Sequence, residues 1–186
     1  SKSTGGYKGK TGGKAGDKSK GGSFERPKPE FDQKILAIRR VTRVVSGGRR
    51  MSFAVAIAIG DKKGSVGVGT GKAGDTSLAI NKAIRSARKN MIKIKITKNG
   101  SIPYDVSAKY SSARLMIIPN NGKGLVAGSS VRDILNLAGI KDVTSKIFSG
   151  SKNKLNIGRA ALKALSMVAT KRVPVILTED RNVDAR

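Results

Sequence analysis

Polar and apolar positions alternate with a period of two through the first third of the folded part of the chain. In MSFAVAIAI, Met51, Phe53, Val55, Ile57 and Ile59 fall on one side, and Ser52, Ala54, Ala56 and Ala58 on the other. That is the pattern of a strand with one face on a core. QKILAIRRVTRVV and SVGVGT read as strands before and after it, with Asp61 to Gly64, DKKG, as the tight hairpin between the last two. The smooth face of the middle strand, grouped with Gly67, Gly69 and Gly71 of the third, suits close approach by another surface, or plain solvent exposure. The period then changes. From about Asp75 to Asn90, Ile80, Ala83, Ile84, Ala87 and Met91 recur at helical spacing, and Lys82, Arg85 and Lys89 take the opposite side. Asp75 or Thr76 is the expected cap.

A second αβ unit follows. MIKIKITK and IPYDVSAKY alternate as amphipathic strands around Asn99-Gly100, and ARLMIIP reads as a more fully buried strand stopped by Pro119. NNGKG leads into a helix from about Ser129 to Ala138, closed by Gly139. DVTSKIFS is a further strand. NIGRAALKALSMVAT is a further helix, with Ile157, Ala161, Leu165 and Val168 inward and Arg159 and Lys163 outward. KRVPVILTEDRNVDAR is expected to be irregular past Pro174. The pattern therefore predicts an α+β chain of two small domains, residues 31–98 and 99–170, between tails at 1–30 and 171–186. The first tail holds eight glycines and eight cations with almost no bulky apolar residue; it is expected to be disordered, its Lys8, Lys10, Lys14, Lys18 and Lys20 free to meet phosphates.

Composition narrows the chemistry. A hydrophobic content of 38% in 186 residues permits modest cores rather than one large one. Thirty-eight Lys and Arg against twelve Asp and Glu leave a net charge of +26, which draws polyanions, nucleic acid above all. The chain has no Cys and no His, so disulfides, thiolate metal sites and the usual neutral-pH proton shuttle are excluded. Between Phe31 and Lys171 the carboxylates Asp32, Asp61, Asp75, Asp105, Asp133 and Asp142 stand apart, giving no sign of paired groups for acid–base catalysis. No enzyme activity, metal or cofactor is expected. Without an 18-residue apolar run or an apolar leader, no membrane partner is expected and the cytoplasm is the default location.

Gly69, Gly71 and Gly74 spell G-x-G-x-x-G between a strand and a helix. A dinucleotide site of this kind also needs a carboxylate about 20 residues on, yet no Asp or Glu lies between Thr76 and Tyr104. Nucleotide binding is therefore not expected. With Lys72 in a loop at the helix N-terminus, the glycines are instead expected to bring backbone close to a nucleic-acid phosphate.

Residues 47–73, GGRRMSFAVAIAIGDKKGSVGVGTGKA, resemble the signature region of the bacterial-type small-subunit ribosomal protein five family. The likeness continues in order through VSAKYSSARLMIIP, GKGLVAGSSVRDIL and FSGSKNKLNIGRAALKAL, covering about residues 31–169. It implies an N-terminal domain similar to a double-stranded RNA-binding domain, with three antiparallel strands and one helix. It also implies a C-terminal αβ domain with a left-handed crossover. The implied function is that of a structural constituent of the small ribosomal subunit, bound to 16S ribosomal RNA beside ribosomal proteins four and eight and near the messenger RNA entrance. Contributions to subunit assembly and decoding fidelity are implied with it, and no small-molecule substrate.

Four sites follow. The loop RVTRVVSGGRR offers Arg40, Arg43, Arg49 and Arg50 around Ser46, Gly47 and Gly48; in the family this element enters ribosomal RNA near where spectinomycin resistance maps. Lys72 with Lys82, Arg85 and Lys89 corresponds to a phosphate-gripping helix. Ser111, Ser112 and Arg114 resemble the contact with protein four, and Gly150, Ser151, Lys152 and Asn153 the contact towards protein eight. Ser46 stands where many members have Lys, and Ser112 where many have Gly. With no Trp, four Phe and three Tyr, a stacking platform for single strands is not expected. The rival reading is a free-standing RNA chaperone or ribosome maturation factor using the same N-terminal domain.

Overall fold

The computed structural model describes residues 30–97 and 99–170; the expectations for the two tails, tail lysines included, lie outside the described residues. Three strands, β1 (Asp32–Val45), β2 (Gly48–Gly60) and β3 (Ser65–Ala73), form an antiparallel sheet, and a two-residue β4 (Ile92–Lys93) pairs with the start of β3. The N-terminal sheet thus has four strands rather than three. Asp61 makes the β2–β3 hairpin, as expected: its Oδ1 accepts the Lys63 N–H at 2.7 Å and the Ser65 N–H at 2.8 Å. The turn requires positive φ at Lys62 and Gly64, 57° and 104°, a conformation that Gly adopts without steric cost. A bulge between Ile35 and Ala37 turns Leu36, 3% exposed, into the core.

Helix α1 (Thr76–Lys89) lies on the sheet face made by Val55, Ile57 and Ile59 and buries Ala79, Ala83 and Ala87 there. The glycines of β3 belong to this face. Gly71, Gly69 and Gly67 pair across the ladder with Val55, Ile57 and Ile59, and cross-strand partners share a side. A Cβ at Gly69 or Gly71 would overlap the backbone of Ala83 and Ala87, or of Ala79 and Ala83. Two expectations are corrected by this register: Gly67, Gly69 and Gly71 do not share the smooth alanine face, and Gly69 and Gly71 do not open backbone to a phosphate, whereas Gly74 has nothing within 4 Å of its Cβ position. The β3 glycines let an alanine-faced helix sit directly on the strand. Asp75 is the N-cap residue, as expected, but by its carbonyl, which accepts the Ala79 N–H at 3.1 Å; its side chain caps nothing.

The second sheet contains β5 (Val106–Tyr110), β6 (Ala113–Pro119), β7 (Leu125–Val126) and β8 (Val143–Ile147), in the order β5-β6-β8-β7. β7 and β8 are parallel, joined by helix α2 (Ser129–Ala138), and α2 ends at Gly139 with φ of 86°, as expected. Helix α3 (Lys154–Thr170) packs on β5 and β6 and meets α2. MIKIKITK and IPYDVSAKY do not pair: the first adds only Ile92–Lys93 to the N-terminal sheet, and the second supplies β5, whose partner is β6. Ile94 is held outside any strand, its N–H bonded to the Gly64 carbonyl at 2.8 Å. β6 alternates rather than being buried throughout, with Ala113, Leu115 and Ile117 inside and Arg114 and Ile118 exposed.

One core cluster spans both domains, against the expectation of a separate core for each, while the cluster under α1 stays within the N-terminal domain. Ala56 and Ala58 on the smooth face of β2, with Leu36, Val66 and Val68, pack in the same cluster as Ile134, Leu135, Ile140 and Leu165. The small residues of β2 let α2 approach this closely. Gly60 faces the Leu137 backbone with no room for a Cβ, and Gly139 faces Lys62 in the same way. Lys62 and Gly64 donate N–H bonds to the carbonyls of Leu137 and Ala138, both at 2.9 Å. Burying each large aliphatic side chain here contributes about 1.5–3 kcal/mol.

Candidate nucleic-acid interface

What the sequence presents as an arginine-rich loop is a continuation of β1 and β2. The ladder runs to Val45 opposite Gly48, leaving a two-residue tip at Ser46 and Gly47. Every residue from Thr42 to Met51 is exposed, so this ribbon reaches beyond the body of the domain. Gly48 has φ of 124°, and a Cβ at Gly47 or Gly48 would meet nothing within 4 Å. Register decides which arginines act together. Arg43 faces Arg50, while Arg40 pairs with Phe53 and Arg49 with Val44. Arg43 and Arg50 therefore lie on the side away from α1, and Arg40 and Arg49 on the α1 side. The ribbon presents cations on both faces, as an element inserted between two phosphate strands requires.

Lys72 stands in β3, not in the loop before α1 as the sequence suggested. It pairs with Ala54, which pairs on its other side with Arg39. Arg39, Ala54 and Lys72 make one cross-strand row on the side away from α1. This row borders a 530 Å³ cleft floored by Ala37, Ala54, Ala56 and Thr70 and closed by Leu155 of α3. Lys82, Arg85 and Lys89 are exposed on the outer side of α1, as the helical spacing predicts. The expected four-residue group is thus divided between two sides of the sheet, linked at one edge where Lys82 Nζ donates to the Lys72 carbonyl at 3.5 Å. Arg39 was missed, although the Arg39-Arg40 pair in a strand must place one cation on each face. Its guanidinium donates to Asn153 Oδ1 at 3.4 Å, tying the basic sheet face to the loop before α3. Arg88 is held over the Phe31 ring, 5.5 Å from its centroid.

The two candidate protein contacts, far apart in sequence, are neighbours in space. Ser112 Oγ donates to Ser151 Oγ at 3.3 Å, and the Arg114 N–H donates to Ser149 Oγ at 3.2 Å. Ser111 at the β5–β6 turn has φ of 52°. Ser111, Ser112 and Arg114 with Gly150, Ser151, Lys152 and Asn153 form a single surface at one end of the second sheet. Arg159, expected to point outward, is half-buried against Tyr110: it donates to the phenol oxygen at 2.9 Å and lies 5.6 Å from the ring centroid.

The chemistry available is that of hydrogen-bond donors and fixed positive charge. Among the described residues no three acidic groups gather to hold a metal ion, and no helix is long and apolar enough to cross a membrane. The Asp61 carboxyl is used by its hairpin. Burial pushes its pKa up, but the N–H bonds from Lys63 and Ser65 outweigh this and hold it below the ordinary value. Of the G-x-G-x-x-G glycines, Gly69 and Gly71 lie under α1, while nothing is within 4 Å of the Cβ position of Gly74.

Residues 31–95 match the family described as ribosomal protein S5, N-terminal domain, and residues 108–176 match ribosomal protein S5, C-terminal domain. The small ribosomal subunit protein uS5 of Mycoplasmopsis agalactiae is 42% identical over 164 residues, 88% of this chain and 69% of that protein. Its counterpart in Campylobacter jejuni is 46% identical over 140 residues, 75% of this chain and 94% of the relative. The small ribosomal subunit protein uS5c of Guillardia theta is 43% identical over 156 residues, covering 83% and 90%. With both domains matched in order, the chain belongs to the ribosomal protein S5 family, a family of structural ribosomal proteins and not of enzymes.

Proposed function

We propose that this chain is held in the small ribosomal subunit on 16S ribosomal RNA, with residues 31–98 as the RNA-binding part and 99–170 turned towards protein neighbours. The observation that carries the reading is the exposed ribbon from Thr42 to Met51, with arginines on both faces and an open glycine tip. Nothing among the described residues packs against its tip, so its conformation serves a ligand, and its donors fit phosphate oxygens. Arg39, Arg43, Arg50 and Lys72 would neutralise one strand of the RNA; Arg40 and Arg49, with the α1 cations Lys82, Arg85 and Lys89, would neutralise another.

The joined surface of Ser111, Ser112 and Arg114 with Gly150 to Asn153 is the side we assign to ribosomal proteins four and eight. Its position in the subunit would place the chain near the messenger RNA entrance and the spectinomycin site, where it contributes to assembly and to decoding fidelity in the cytoplasm. The deciding experiment is co-sedimentation with small subunits through a high-salt wash, compared with binding to an arbitrary RNA duplex. Retention on subunits at a salt concentration that strips the duplex supports the reading. Equal loss from both would favour a free-standing RNA chaperone.

A further inference from the structure

Beneath the loop that joins β8 to α3 lies a second cavity, of 450 Å³, at the opposite end of α2 from the domain junction. Its lining holds four serines, Ser129, Ser130, Ser149 and Ser151, and two lysines, Lys152 and Lys154, and no carboxylate. The N-terminus of α2 opens here. Its N-cap is Gly128, which has no side chain to cap with, and the first turn contains no acidic residue. The first helical bond is donated by the Arg132 N–H to the Gly128 carbonyl, so the N–H groups of Ser129, Ser130 and Val131 precede any intrahelical partner. The neighbouring N-terminus of α3 is different: Asn153 Oδ1 already accepts the Leu155 N–H at 3.2 Å.

An independent observation comes from Ser130. It lines this cavity, is 3% exposed, and its hydroxyl has no hydrogen-bond partner among the described residues. Its two companions are prepared as donors. Ser149 Oγ accepts the Arg114 N–H and Ser151 Oγ accepts the Asn153 N–H, which leaves each hydroxyl proton to be given to something else. A buried, unpartnered hydroxyl, an uncapped helix dipole and two ammonium groups around one cavity share a single complement, a compact oxyanion with several acceptor atoms.

We infer that this cavity is a phosphate-binding site, separate from the arginine ribbon and sharing Gly150, Ser151 and Lys152 with the surface assigned above to protein neighbours. Ser130 Oγ and the first amides of α2 hold the oxygens, and Lys152 and Lys154 neutralise the charge. The phosphate has two possible sources, a free inorganic ion or the backbone of an RNA strand.

The test uses the full-length chain labelled with nitrogen-15. The amide resonances of Ser129, Ser130 and Val131 are followed while inorganic phosphate is added, with potassium chloride at matched ionic strength as reference. A saturable shift with phosphate and not with chloride is expected. It should weaken about tenfold or more in Lys152→Gln/Lys154→Gln, as for loss of charge-assisted hydrogen bonds, and measurably in Ser130→Ala, which leaves the fold intact. A uridine oligonucleotide is titrated in parallel. Saturation of these three amides at lower concentration than phosphate assigns an RNA strand as the source; response to inorganic phosphate alone assigns the free ion. Identical shifts with phosphate and chloride, or a lysine variant that binds as the parent does, would overturn the site. The Gly47 and Gly48 amides report on the ribbon in the same spectra, so failure here and failure of the RNA reading are told apart.

Discussion

Replacing Gly69 by Ala tests whether the glycines of β3 serve the fold or a ligand. In an open strand the change would stabilise by about 0.4–1 kcal/mol, because the unfolded chain loses freedom. Here the new methyl would overlap the Ala83 carbonyl, the Ala87 nitrogen and the Ala87 Cα. All three are backbone atoms, so relief requires the whole helix to withdraw. Withdrawal loosens its alanines from Val55, Ile57 and Ile59. Overpacking of this kind costs roughly 1–3 kcal/mol, for a net loss of about 1–2 kcal/mol. In a chain of this size that lowers Tm by roughly 2–8 °C. The Gly69→Ala/Gly71→Ala pair should cost less than the sum of the singles, since one displacement of α1 relieves both overlaps. Gly74→Ala is the control: nothing lies within 4 Å of its Cβ position, and it should be neutral or slightly stabilising. Stability is read by guanidinium unfolding followed by circular dichroism, and RNA affinity on the folded fraction. If Gly69→Ala proved as stable as Gly74→Ala but bound RNA poorly, the glycines would serve the ligand and the packing argument would fail.

Three further outcomes are expected. Replacing Arg49 and Arg50 together by Ala should lower the salt slope of log K for RNA by roughly one to two, about 0.9 for each phosphate no longer neutralised; an unchanged slope in filter binding would make them solvated bystanders. Ser145 Oγ is buried without a partner, so Ser145→Ala should leave stability unchanged or raise it by about 1 kcal/mol in the same unfolding assay; a clear loss would show an unseen bond. The Asp61 carboxyl is held below its ordinary pKa in the folded chain, so its contribution is present above the unfolded value of about 3.9 and is lost as pH falls through the folded one. Asp61→Asn should therefore flatten the acid limb of the stability profile, and an unaltered limb would refute this.

Much of the fold is legible in the chain because its strands and helices have single-sided patterns. Ile57 and Ile59 alternating with Ala56 and Ala58, and Ala83 and Ala87 recurring down α1, fix the type of each element wherever it packs. Lys82, Arg85 and Lys89 fall on the exposed side of α1 for the same reason. The Asp61 hairpin and the Gly139 cap are legible because their backbone geometry is set within a few residues. β7 is not, since a two-residue strand carries no period of its own, and of the strand read over MIKIKITK only Ile92–Lys93 forms, paired with β3.

What the sequence by itself determined is charge, element type and the absence of Cys and His, all properties that no packing can alter. Tertiary structure decided everything that depends on which surfaces meet. A glycine in β3 has no side chain to declare its face, and only the ladder with Val55, Ile57 and Ile59 shows that it lies under α1. The arginines of the ribbon read as one loop until register places Arg43 and Arg50 on one side and Arg40 and Arg49 on the other. Ser112 and Ser151 are 39 positions apart, and no local pattern links them; the β5–β6 turn and the loop before α3 meet because the strands of the second sheet run side by side. Side-chain preference is a local quantity, whereas a shared surface is created by long-range pairing, and that pairing is carried by the whole core rather than by any one segment.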